Sequence, residues 1–77
     1  MNKIVNAVPL PDCCLQIELQ DGRCGVFDVK PFMKSEYFAQ LENKDYFQKV
    51  SLFFSGIGWP EGQDLGPDTV AANLIFS

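Results

Sequence analysis

Cys14-Leu-Gln-Ile-Glu-Leu-Gln-Asp-Gly-Arg-Cys-Gly-Val-Phe-Asp-Val29 is the stretch whose reading decides the fold. Leu15, Ile17 and Leu19 alternate with Gln16, Glu18 and Gln20, the period-two pattern of a strand buried on one face. Asp21-Gly22 then reads as a two-residue type I′ turn, which needs positive φ at both positions, and Arg23–Val29 returns as the partner strand. Such a turn predicts the pairs Gln20–Arg23, Leu19–Cys24, Ile17–Val26 and Leu15–Asp28. Leu19, Cys24, Ile17 and Val26 would then share the core face, with Cys24 acting as a small buried hydrophobe. Asp28 falls on that same side, where a carboxylate needs partners.

Working outward, Lys3–Val8 reads as a first strand ended by Pro9-Leu10-Pro11-Asp12. Pro31-Phe32-Met33 suits a single helical turn. Ser35 is placed to cap a helix over Glu36–Leu41 that sets Phe38 and Leu41 on one side, and Asp45 to cap a further turn with Tyr46 and Phe47. Val50–Phe54 and Ile57–Trp59 form a second hairpin around Ser55-Gly56. Pro67 opens a last helix, Pro67–Leu74, with Asp68 in its first turn. The order β–ββ–αα–ββ–α predicts one α+β domain over residues 1–77: a small antiparallel β-sheet of two hairpins plus the N-terminal strand, with two or three short helices packed on one side. In Leu52-Phe53-Phe54 neighbouring side chains point to opposite faces, so aromatic surface is left over; the C-terminal helix is the expected cover.

At 77 residues the chain buries only about 60% of its unfolded surface, which supports a surface patch or groove more readily than a deep cleft. Its net charge is −4, and the six basic residues, Lys3, Arg23, Lys30, Lys34, Lys44 and Lys49, are scattered. Direct nucleic-acid binding needs them clustered, so an acidic chain points to solubility or to a basic protein partner. No apolar run approaches the ~18 residues of a membrane span. The apolar start is broken by Asn6, Pro9 and Pro11, too early for a signal peptide. Three cysteines, two of them adjacent, make no disulfide framework, and a cytoplasmic location is expected.

The sequence contains no histidine, which removes the commonest general base and zinc ligand. Cys13, Cys14 and Cys24 form no C-x-x-C pair, so neither zinc nor another cofactor is expected. A reactive thiol at Cys13 or Cys14 would need an electropositive setting that Asp12 opposes. The loop from Trp59 to Asp68 gathers Glu61, Asp64 and Asp68, which with Asp28 are the candidate ligands for a cation or small molecule. Their spacing is not that of a calcium loop. A structural role accounts for most of the loop: Pro60 and Gly62 shape a turn, Asp64 or Gly66 caps the helix, and Trp59 anchors the loop to the core.

Phe27-Asp28-Val29 leading into Pro31, then Phe38-x-x-Leu41, Phe47-x-x-Val50 and Trp59-Pro-x-Gly-x-Asp64-Leu65, resembles the small bacterial domain-of-unknown-function family numbered 2442. The likeness covers nearly the whole chain and is most specific in the Trp-Pro segment. It departs after Pro67-Asp68, where the chain continues to an apolar end. It implies an α+β domain without assigned activity. Similar domains occur fused to helix-turn-helix modules, so the analogy points to an antitoxin-like regulatory or partner-binding role. The expectation is a non-catalytic domain binding a protein partner or a second copy of itself, through the Trp59–Asp68 loop and a neighbouring edge or aromatic patch. A small-ligand or cation site on that loop is the alternative, and a thiol-dependent enzyme the remote one.

Overall fold

The computed structural model describes residues 2–76. Strands β1 (Ile4–Leu10), β2 (Cys14–Leu19) and β3 (Cys24–Asp28) are followed by a 3-10 turn at Lys30–Phe32. Helix α1 (Glu36–Ala39), a second 3-10 turn (Gln40–Glu42) and helix α2 (Lys44–Phe47) come next. Strands β4 (Ser51–Phe53), β5 (Gly56–Gly58) and β6 (Asp64–Leu65), helix α3 (Pro67–Ala72) and strand β7 (Leu74–Phe76) complete the chain. The strands form two antiparallel sheets, one ordered β1-β2-β3-β7 and the other β4-β5-β6. The α+β class stands.

The hairpin that decides the fold is present, but its register is shifted by one residue. Glu18 faces Cys24, Ile17 faces Gly25, Gln16 faces Val26, Leu15 faces Phe27 and Cys14 faces Asp28. The cause is the turn. Gly22 N–H donates to the Leu19 carbonyl at 3.0 Å and Leu19 N–H to the Arg23 carbonyl at 2.9 Å, so the loop has three residues rather than two. Gly22 occupies its bulge position at φ 93°, where a side chain is disfavoured. A one-residue slip sends alternate side chains to the other face. Leu15, Ile17, Leu19 and Phe27 therefore form the buried face. Cys24 and Val26 lie half-buried on the opposite face, contrary to the two-residue reading. Asp28 leaves the core with them and pairs with Lys30 at 3.0 Å, which resolves the misplaced carboxylate.

Other boundaries differ for local reasons. β1 continues through Pro9 to Leu10, since Pro9 faces Leu15 and Leu10 faces Cys14. Helix α2 is capped by Asn43, not Asp45: its Oδ1 accepts from the N–H of Asp45 (2.9 Å) and of Tyr46 (3.1 Å). Ser35 caps α1 as its sequence suggests, Oγ accepting from Phe38 N–H at 3.2 Å. The second hairpin turns at Phe54-Ser55, with φ of 47° and 69°, because Phe53 faces Gly56. Gly66, not Asp64, is the N-cap of α3. That helix stops at Ala72 rather than Leu74, and Leu74–Phe76 is a strand on the open side of β3.

A single core lies between the sheets and the helices. Leu15, Ile17, Leu19 and Phe27 from the larger sheet meet Ile57, Leu65, Val70, Leu41, Phe47 and Trp59. α3 leaves the β4 region open. Leu52 and Phe53 are each about half exposed and Phe54 is 86% exposed, so the expected helical cover is absent.

Candidate functional site

The Trp59–Asp68 loop is built as an anchored turn. Trp59 N–H donates to the Gln63 carbonyl at 2.9 Å and Gly62 N–H to the Trp59 carbonyl at 3.0 Å. This repeats the three-residue geometry of Leu19–Arg23, with Gly62 at φ 102° in the bulge position. A Cβ on Gly62 would lie 2.5 Å from Tyr37 Oη, so close approach as well as backbone sign demands glycine.

Two tyrosines and a buried glutamine fasten this turn to the helices. Tyr37 Oη donates to the Glu61 carbonyl at 2.5 Å. Tyr46 Oη accepts from Glu61 N–H at 2.8 Å, which directs its own hydrogen to Gln63 Oε1 at 2.6 Å. That fixes the amide's orientation, and Gln63 Nε2 donates to the Tyr37 carbonyl at 2.8 Å and to Gln40 Oε1 at 3.1 Å. Gln63 is 1% exposed and fully bonded, as a buried amide must be. Trp59 lies beneath, its Nε1–H donating to the Phe47 carbonyl at 2.9 Å and its ring 5.8 Å from that of Phe47. Trp59 thus anchors the loop, and Gln63, whose type and loop position mark it for solvent, is the hub that sequence reasoning missed.

The acidic candidates do not converge. Glu61 and Asp64 are exposed and their carboxylates have no partner among the described residues. Asp68 accepts from Asn2 Nδ2 at 3.2 Å. Asp28 lies at the end of β3, on the other sheet, accepting from Lys30 N–H at 3.0 Å. Burial acts to raise the Asp28 pKa, but the backbone N–H and ammonium of Lys30 outweigh it and hold the carboxyl below its usual value. Among the described residues no three Cys, Asp or Glu side chains group as metal ligands.

The thiols are free, and none sits in an activating setting that the structure shows. Burial pushes the Cys13 thiol up, Lys30 opposing it and Glu42, Cys14 and Asp12 adding to it. That is opposite to the shift a nucleophilic cysteine needs. Lys30 Nζ lies 3.9 Å from Cys14 Sγ, but donates to the Asp12 carbonyl at 2.7 Å and pairs with Asp28.

What the anchored turn does create is a wall. Beside it lies a hollow of about 250 Å³ lined by Phe53, Gly58, Trp59, Pro60 and Asp64 among others. Phe53 leads from it to the exposed Phe54, the two rings 4.5 Å apart, and Leu52 next to them is also exposed. A larger cavity, about 490 Å³, separates the β1–β2 turn from α2, lined by Leu10, Asp12, Cys13, Glu42 and Lys44 among others.

The fold and the clamped Trp-Pro-x-Gly-x-Asp-Leu turn define a small two-sheet α+β domain organised around that motif. The chain belongs to the family described as Protein of unknown function (DUF2442), which matches residues 4–76. No curated protein and no solved structure matches the chain. Among the described residues no helix is long and apolar enough to cross a membrane.

Proposed function

We propose that this is a non-catalytic, cytoplasmic domain that binds a protein partner through the β4 tip and the hollow beside it. The observation that carries the reading is Phe54. It stands at φ 47°, where a non-glycine residue costs about 1–3 kcal/mol, and exposes 86% of its surface, so it serves neither the turn nor the core. Phe53 carries the apolar surface into the hollow, Leu52 adds exposed apolar surface on the other face of β4, and Asp64 supplies an unpaired carboxylate in the hollow's lining. A hollow of about 250 Å³ lies below the ~300 Å³ at which metabolite pockets begin. It suits one side chain of a partner, apolar or basic, next to the aromatic pair. The net charge of −4 favours a basic partner surface.

Phe54→Asn tests this with opposite signs in two readouts. Asparagine tolerates positive φ, so the variant should melt higher than the wild type. A photo-crosslinker at position 54 in cells should capture a defined protein, whose affinity for the purified Phe54→Asn domain should drop at least tenfold. A stabilised variant that binds that protein unchanged would refute the assignment. The 490 Å³ cavity favours a second reading, a small-ligand site away from the Trp59 loop. A melting-temperature screen against metabolites, repeated with Glu42→Gln, decides it.

A further inference from the structure

The larger sheet has one face that none of the described residues covers. Its register places Val8, Gln16, Val26 and Ile75 in one row across all four strands, with Leu10, Cys14 and Asp28 on one flank and Asn6, Glu18 and Cys24 on the other. None of Val8, Val26 and Ile75 belongs to the core or packs against it. Val8 is 44% and Ile75 70% exposed, while Val26, between its neighbours in the sheet, is half-buried. An antiparallel sheet that faces water usually presents polar side chains outward, so an aliphatic row is the departure that calls for an occupant.

We infer that the occupant is a second copy of this chain, the two sheets stacking face to face about a two-fold axis. Charge points to it first. The chain carries −4 overall, yet on this face Asp28 is neutralised by Lys30 at 3.0 Å, and Glu18 is the one carboxylate left without a counter-ion among the described residues. Two acidic chains approach at less cost through a face that carries so little net charge. A strongly basic partner would find little to pair with there. A stable dimer takes about 800 Å² per partner, about a sixth of the 4753 Å² that this chain exposes. The four strands, at most seven residues long, span roughly 15 by 20 Å, so the contact takes in the flanks of the face as well as the aliphatic row. Aliphatic rows on two such sheets interdigitate at the ~10 Å spacing of a sandwich.

The face carries its own reporters, because Cys14 and Cys24 lie on it while Cys13 sits in the β1–β2 turn with Sγ directed at the Leu41 carbonyl. Light scattering behind size exclusion should give the wild type a mass twice 8.6 kDa, and Ile75→Lys a mass of 8.6 kDa with unchanged circular dichroism. Thiol labelling followed by mass spectrometry should show Cys14 and Cys24 slowing as the protein is concentrated, in proportion to the dimer formed, while Cys13 keeps its rate. A wild type that remains at 8.6 kDa up to millimolar concentration overturns the inference. So does a dimer that survives Ile75→Lys but breaks in Phe54→Asn, which would move the contact to the β4 tip. A dimer sensitive to Ile75→Lys in which both thiols react at the monomer rate overturns the stacking too, placing the contact on the β7 edge.

Discussion

Replacing Gln63 by Glu changes one atom in the hub of the loop and should remove a large part of the domain's stability at neutral pH. Nε2 donates to the Tyr37 carbonyl at 2.8 Å and to Gln40 Oε1 at 3.1 Å, both acceptors. An ionised carboxylate offers neither hydrogen and places a charge against two oxygens at a site 1% exposed. Two lost hydrogen bonds contribute about 1 kcal/mol each, and the unsatisfied, repelled groups add about 1–3 kcal/mol. The expected cost is about 3–5 kcal/mol, against a total near 4–12 kcal/mol for a chain of this length. With a urea slope near 1 kcal/mol/M, the midpoint should fall by about 3 M or more at pH 7.5. Trp59, the single tryptophan, sits in the same loop and reports the transition by fluorescence.

The acid limb gives the stricter test. Burial and two facing acceptors raise the folded-state pKa of the new carboxyl above its unfolded value of about 4.3. The stabilising effect of the neutral acid is thus fully present below about pH 4.3 and lost as pH rises through the raised folded value. The gap between variant and wild type should therefore narrow on acidification, since a protonated carboxyl can donate to the Tyr37 carbonyl again. A midpoint within about 0.5 M of wild type at pH 7.5, or a gap that does not change with pH, would refute the role given to Gln63.

Gly62→Ala should lower stability by about 1–3 kcal/mol, through positive φ and the overlap with Tyr37 Oη, and Tyr37→Phe in the same background should recover part of it in a double-mutant cycle. Asn43→Ala should cost about 0.5–2 kcal/mol by urea titration, whereas Asp45→Ala should leave the cap bonds intact. Asp28 should titrate below the ordinary ~3.9 by carboxyl NMR and move up in Lys30→Ala. Its contribution to stability is present above that unfolded value and lost as pH falls through the lowered folded one. Cys13 should alkylate more slowly than a free thiol at pH 8, because its burial favours the protonated form.

Much of this architecture is legible in the sequence, and the errors trace to particular residues. The alternation of Leu15, Ile17 and Leu19 and the turn after them identify the first hairpin. Asp-Gly, however, closes a two-residue loop and a three-residue loop equally well. The discriminating sign lay at the far end: a register that puts Asp28 in the core and Phe27 outside it is chemically inverted. Asn43 lost to Asp45 as a cap because both are good capping residues and one helical residue separates them. The last helix reads two residues too long, to Leu74, and Leu74–Phe76 gives no strand signal, since a three-residue apolar run has no periodicity of its own and only the open side of β3 tells it to extend. At the loop, Trp59 as an anchor could be read from its type. The Tyr37–Gln63–Tyr46 network could not, as it joins residues 26 and 17 positions apart in sequence through side chains that usually meet water.

The two sides of β3 were assembled at very different distances along the chain. On one side its partner is the adjacent β2; on the other, Gly25 meets Phe76 across most of the polypeptide. Closing the long segment carries the larger entropy cost, and only three residue pairs reward it. The outer ladder should therefore be the seam along which the native molecule first unzips, with amide exchange at Ile75 running ahead of exchange at Ile17. Each such opening bares Phe27 and Leu74 together, a brief apolar cleft in a molecule that otherwise keeps them dry.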